Sequence, residues 1–166
     1  MMYLLDQSRA ALIVLLASAA ALGMALLAEY GFGLKPCVLC IYQRWPYVAA
    51  GLLALLALLL RGRWRWLALA GAGLALAVDA GIAGYHVGVE QGWWAGTAGC
   101  TGGAGTPQNL ADLKAQVLSA PLVRCDDVAF SLFGVSMAGY NFLYACLLCL
   151  FTITVMLRSP SKGARP

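Results

Sequence analysis

The chain has 166 residues, of which 62 % are hydrophobic and only 11 % charged, against roughly 25 % charge in a soluble domain. Its apolar residues come in long blocks, which excludes an ordinary water-soluble globule. A formal net charge of +4 needs no nucleic acid to explain it once the basic residues are placed along the chain. The fold class expected is an all-α membrane protein.

In chain order, the first apolar block is Ala10 to Ala28, nineteen residues without a charge. "MMYLLDQSR" before it allows a signal peptide, but the run is longer than the roughly 7–15 residues of a signal h-region. Trp45 to Leu60 is the second block, sixteen residues long and long enough to span if its helix starts near Ile41. Trp66 to His86 contains one acid, Asp79, and Val135 to Leu157 contains no formal charge. A span needs roughly 20 residues, with a lower limit near 17, at a rise of about 1.5 Å each. The expectation is therefore a four-transmembrane-helix bundle, a single integral membrane domain over 1–166. Its spans are 10–28, 42–60, 66–87 and 135–157, and its outer loops are 29–41 and 88–134.

Arg9, Arg61, Arg63, Arg65, Arg158, Lys162 and Arg165 then fall on one side of the bilayer. Lys35, Arg44, Lys114 and Arg124 fall on the other, diluted by Glu29, Glu90, Asp112, Asp126 and Asp127. By the positive-inside rule both termini and the "RGRWR" turn are expected in the cytoplasm.

The long outer loop opens with "VEQGWWAGTAGCTGGAG". Trp93 and Trp94 suit the membrane interface, and the glycines point to a mobile backbone. Thr106–Pro107 reads as a helix start, followed by Leu110, Leu113 and Val117 at helical spacing. A short surface helix is expected there, lying on the bilayer or packed on the loop itself.

Four spans sort the six cysteines into three pairs. Cys37 and Cys40, in "KPCVLCIYQRW", lie at the outer edge of span two. Cys100 and Cys125 lie in the long loop, and Cys146 and Cys149 lie inside span four. Disulfides persist in the outer compartment, so both outer pairs are candidates for cross-linking. Metal is a poor fit because zinc wants four ligands, usually as close pairs, and the one histidine, His86, sits at a span end. With no histidine directly after either Cys-x-x-Cys, c-type haem is excluded. A thiolate near a helix start and a guanidinium is stabilised, and Arg44 lies four residues beyond Cys40, on one face with it. Arg44 also suits an anchor snorkelling to lipid headgroups. Cys146 and Cys149 read as small packing residues.

The run from Pro36 to Arg44, "PCVLCIYQR", closely resembles the signature of the bacterial DsbB/DsbI family of disulfide-bond formation proteins. Cys100 and Cys125 in the loop between spans three and four do so too, as does "APLVRCDDVAFSLFGVSMAGYN" from Ala120 to Asn141. That resemblance implies an enzyme of the bacterial inner membrane, a quinone-dependent protein thiol:disulfide oxidoreductase. It implies that a soluble periplasmic thioredoxin-fold dithiol protein, DsbA-like, attacks the Cys100–Cys125 disulfide. Cys125 would be recycled through the Cys37–Cys40 disulfide, and Cys40 and Arg44 would face ubiquinone or menaquinone. No metal, haem or nucleic acid is implied, and the chain is expected to be a monomer in the membrane. Rival readings are a membrane thiol reductase running electrons the other way, and a non-catalytic assembly protein whose disulfides staple its loop.

An ionisable residue inside a span is a functional hypothesis by default. Asp79 lies about 20 Å up the third helix from Trp66, and Arg44 about 24 Å up the second from Leu60. Similar heights predict a contact between Asp79 and Arg44, direct or through one water.

Overall fold

The computed structural model describes residues 2–101, 108–119 and 123–158. Four helices are long and apolar enough to cross a membrane: Gln7–Gly31, Val38–Leu59, Arg63–Glu90 and Met137–Arg158. In detail, α1 is Met2–Leu26 and ends in a π-helical turn, Leu27–Gly31. The second span is a short α2, Val38–Tyr42, continued after Gln43 by α3, Arg44–Leu59. The third is α4, Arg63–Glu90, and the fourth is α7, Met137–Arg158. Between those two lie α5, Ala98–Thr101, and α6, Leu110–Ser119.

Lipid tails are as apolar as leucine, so membrane helices associate through close packing of small residues. The alanine-rich spans supply them: Ala50, Ala54 and Ala57 on α3 and Ala68, Ala72 and Ala83 on α4 are buried. Ala72 and Leu76 join Val14, Tyr47, Ala50, Ala54 and Leu148 in a core drawn from all four spans. Large leucines such as Leu16, Leu52, Leu59 and Leu74 stay exposed, facing the position lipid would occupy. Helix α4 is central, packing on α3 and α7, while α3 also packs on α1.

The α3–α4 turn is tight because Gly62, at φ +60°, takes a conformation that suits glycine. Arg65 then reaches back: its buried Nε donates to the carbonyls of Ala57 and Leu60, both at 3.0 Å. A cation thereby satisfies carbonyls at the negative end of α3.

The expected Thr106–Pro107 helix start lies outside the described residues. Helix α6 begins at Leu110, and its cap is Asn109, whose Oδ1 accepts the Asp112 N–H at 2.8 Å. Leu110, Leu113, Val117 and Leu118 are all exposed, as a surface helix requires. A small hairpin that hydrophobic patterning does not single out follows. Ser131–Leu132 (β1) pairs antiparallel with Val135–Ser136 (β2) across Phe133–Gly134, whose φ values are 50° and 78°. Two left-handed residues are what a tight hairpin turn demands. The hairpin delivers Ser136 to the start of α7, where its Oγ accepts the Gly139 N–H and donates to Glu90 on α4.

Candidate active site

Pro36 is followed by extended backbone at Cys37 (φ −76°, ψ 172°), which makes Cys37 the residue capping α2. Its sulfur accepts the Cys40 N–H at 3.3 Å. One helical turn separates the two cysteines, so their sulfurs meet at 3.0 Å, a thiol contact rather than the roughly 2.05 Å of a bonded pair. All six cysteines are free.

The long loop folds back onto this pair. Cys100 sits on α5, and its carbonyl accepts the Cys125 N–H at 3.0 Å. The Cys125 thiol reaches both Cys100 and Cys37, and the Leu39 N–H at the start of α2 donates to its sulfur. Cys125 Sγ lies within 4.8 Å of Cys37 Sγ, so the four sulfurs of Cys100, Cys125, Cys37 and Cys40 gather in one cluster. Cys37, Leu39, Val89, Cys100 and Cys125 make a separate buried cluster, with Val38, Ile82, Tyr85 and Val123 packed around it.

Two expectations about this region change. The glycine-rich segment was expected to expose Cys100, yet Cys100 and Cys125 are both 0 % exposed and Cys37 only 5 %. The reason lies in Trp94, which stacks on Tyr85 and donates its indole N–H to the Tyr85 carbonyl, pinning the loop's first stretch against α4. Residues 102–107 of the glycine run lie outside the described part. The proposed Asp79–Arg44 contact is also replaced. Arg44 Nη1 lies 2.6 Å from Glu29 Oε2, at the end of the first span. Asp79, fully buried, instead accepts from Asn141 Nδ2 at 3.1 Å. Helical rise sets height but not direction, and the α3 residue aimed at this region is Tyr47.

Asn141 is the centre of a polar group drawn from three spans. Tyr47 Oη donates to its Oδ1 at 2.7 Å, and its Nδ2 donates to Gln43 Oε1 at 2.7 Å as well as to Asp79. Gln43 Nε2 lies 2.9 Å from His86 Nδ1, and His86 Nε2 lies 3.5 Å from Cys37 Sγ. Glu90, one turn along α4, brings Oε1 to 3.9 Å from the same nitrogen. The sequence pattern assigns no role to His86, Gln43 or Asn141. One signal was available, since Asp79 and His86 are seven residues apart on α4, on the stripe that also buries Leu76 and Ala83.

Electrostatics in the cluster favour neutral thiols at two positions. Cys37 is pushed up to about 12, first because it donates its hydrogen to Cys40 and then because it is buried. Burial, followed by its hydrogen bond to Cys100, raises Cys125 well above the ordinary thiol range. Ligand atoms of Cys37, Cys125 and His86 lie within 4.8 Å of one another, a spacing a soft metal would accept. Zinc sites usually hold four ligands, and this group offers three.

Cys146 and Cys149 stand apart from this cluster. Both are half-buried; Cys149 Sγ lies 3.7 Å from the Gly73 carbonyl and packs against the four-span core. An apolar groove of about 630 Å³ opens between α3 and α4, lined by residues including Tyr42, Trp45, Pro46, Leu74 and Ile82. Ile82 also packs on the cysteine cluster, so groove and cluster share a wall.

Comparison with known proteins agrees with this arrangement. The family profile described as disulfide bond formation protein DsbB matches residues 7–155. A disulfide bond formation protein B of Marinobacter nauticus is 31 % identical over 153 residues, covering 88 % of this chain and 89 % of its own. An uncharacterized protein of Rickettsia prowazekii is 31 % identical over 142 residues, 84 % of this chain and 82 % of its own. A disulfide bond formation protein B of Chromobacterium violaceum is 54 % identical over a stretch of 48 residues, 29 % of each chain. No solved structure matches the chain. Four spans, outer cysteines held in one cluster and a profile match over nearly the whole length lead to one conclusion: the chain is a multi-pass membrane protein that belongs to the DsbB family of disulfide bond formation proteins.

Proposed function

We propose that the chain oxidises the dithiol of a soluble, thioredoxin-fold periplasmic protein and delivers the electrons to ubiquinone or menaquinone. It would do so from the bacterial inner membrane, with both termini in the cytoplasm, as the segregation of arginines favours. The observation that carries this reading is the gathering of Cys100, Cys125, Cys37 and Cys40 in one cluster.

Thiol–disulfide exchange needs an attacking sulfur aligned on a disulfide and a stabilised leaving thiolate. A partner thiolate attacking the Cys100–Cys125 disulfide leaves with both sulfurs of its own pair bonded, and Cys100 and Cys125 as thiols. Because Cys100 has no exposed surface, this attack requires the α5 turn to swing outward. Cys125 then lies against Cys37, placed to attack the Cys37–Cys40 disulfide and release Cys40. Completing that exchange re-forms the loop disulfide and leaves two protons and two electrons on Cys37 and Cys40.

A quinone, when bound, supplies a bilayer-soluble acceptor for that pair of electrons and protons. The residues fit such a group. Arg44 Nε is a buried donor with no hydrogen-bond partner among the described residues, and it is four residues beyond Cys40. A fixed donor stabilises charge growing on an oxygen in a water-poor site. The groove between α3 and α4 suits an apolar tail arriving from the bilayer.

The test is to place the purified protein in lipid discs containing quinone and add a reduced thioredoxin-fold protein. Loss of quinone absorbance should match loss of partner thiols one for two. Cys37→Ser should end quinone reduction yet still trap a mixed disulfide between partner and loop. Turnover at the wild-type rate in Cys37→Ser would refute the relay. Quinol oxidation on adding the partner's disulfide form would assign the reverse direction, and no electron flow either way would leave a structural staple.

A further inference from the structure

We infer that Asp79 is a positioning residue, acting through Asn141 and Gln43 to fix the His86 tautomer so that its Nε2–H points at Cys37. This deepens the function proposed above and rests on it for its catalytic meaning, but the hydrogen-bond argument stands on the geometry alone.

A side-chain amide can be turned end for end, so something must choose its direction. At Asn141 two neighbours choose it. The Tyr47 hydroxyl lies 2.7 Å from one end, and Asp79 Oδ2 lies 3.1 Å from the other. A carboxylate only accepts, so the end facing Asp79 has to be the NH₂. Turning the amide would set its oxygen against both the Asp79 and the Gln43 oxygens. With Nδ2 also facing Gln43 at 2.7 Å, Gln43 must present its oxygen to Asn141 and its NH₂ to His86. That NH₂ donates to Nδ1 at 2.9 Å, so Nδ1 is bare and the ring proton sits on Nε2.

The direction carries on into the sulfurs. Nε2–H faces Cys37 Sγ at 3.5 Å, and Cys37 in turn donates to Cys40 at 3.0 Å. Each group donates toward the outer pair, and Cys40 is the final acceptor. A donor on the Cys37 sulfur polarises its S–H and strengthens the hydrogen bond that it gives to Cys40. Glu90 reinforces the assignment, because its Oε1 at 3.9 Å also faces Nε2 and attracts a proton there. Asp79 has the features of a group kept for such a purpose. It is completely buried, and Asn141 and the Tyr47 hydroxyl are the groups that face it. An ionisable residue inside a span is costly to keep.

The chain contains one histidine, so ¹⁵N-histidine labelling reports on His86 without assignment. The experiment uses the full-length reduced protein in lipid discs, with no partner or quinone added. Its outcome is therefore independent of whether the proposed electron path is right. The wild type should show a neutral ring with a protonated Nε2 and a bare Nδ1. Asp79→Asn, which can donate or accept, should add a second set of ring signals from the Nδ1–H form. Gln43→Glu, whose carboxylate can only accept, should invert the ring to Nδ1–H. Asn141→Leu serves as a second break in the chain and should mix the tautomers as Asp79→Asn does. A wild-type ring protonated on Nδ1, alone or on both nitrogens, overturns the inference. So does a single unchanged Nε2–H form in Asp79→Asn or Asn141→Leu. In turnover assays Asp79→Asn should slow the Cys40-dependent step by about fivefold to tenfold, the loss of one oriented hydrogen bond expressed as a rate. Exchange between partner and loop should stay at the wild-type rate, and a slowing of that exchange to match would overturn the assigned role.

Discussion

Removing Cys40 should make Cys37 more reactive. The main cause holding Cys37 up to about 12 is the hydrogen it donates to Cys40, with burial second. At pH 8 a thiol titrating there is ionised to about one part in 10⁴, against about one part in ten for the ordinary value of 9.0. The gap is about a thousandfold in thiolate. Cys40→Ala deletes the acceptor and leaves the burial, so Cys37 should recover part of that factor, between about tenfold and about a thousandfold. The assay is timed alkylation of the reduced protein with a small neutral reagent, quenched and read at Cys37 by peptide mass spectrometry. Access is the same in both proteins, so slope against pH is the informative quantity. Wild-type Cys37 should gain about tenfold per pH unit from pH 8 to 11 without levelling. Cys40→Ala should level earlier. A wild-type plateau near pH 9, or equal profiles in the two proteins, would refute the reasoning.

Two further outcomes follow from packing. A Cβ on Gly88 would lie 2.0 Å from Trp94 Cζ2, whereas one on Gly81 would meet nothing within 4 Å. Gly88→Ala should therefore lower the unfolding midpoint, by about 1–3 kcal/mol of overpacking, and raise Cys100 alkylation, while Gly81→Ala changes neither. Cys146→Ala with Cys149→Ala should leave quinone turnover near the wild-type rate and lower thermal stability slightly through lost packing; loss of turnover in folded protein would put this pair on the electron path.

The four spans were legible because a bilayer imposes a length on apolar runs that few other structures share. The surface helix was legible from Leu110, Leu113 and Val117, although its cap proved to be Asn109, not the threonine three residues earlier. Cysteine placement relative to the spans brought Cys37, Cys40, Cys100 and Cys125 forward. What the sequence could not show is direction around a helix axis. Arg44 and Asp79 were matched by height, but their side chains leave in different directions, toward Glu29 and Asn141 respectively. Gln43, His86 and Asn141 could be seen in the sequence but given no role, for a related reason. Each is an isolated polar residue near the end of its span, and their link exists only where helices 43 and 98 positions apart come together. Cys100 is buried in a cluster with Cys37, Leu39, Val89 and Cys125, a long-range association that no periodicity announces.

A sulfur with no surface in water cannot be met by a dissolved small thiol. Cys100 and Cys125 have none, and Cys37 has almost none, so in this closed form three of the four sulfurs are insulated and Cys40 alone keeps some surface. Dissolved monothiols and low-molecular-weight disulfides have no direct path to those three. Under the proposed function, a protein that binds the loop and levers α5 away would make the connection. Selectivity for a protein partner would then rest on a latch, Trp94 stacked on Tyr85 and closely fitted over Gly88, as well as on the chemistry of the cysteines.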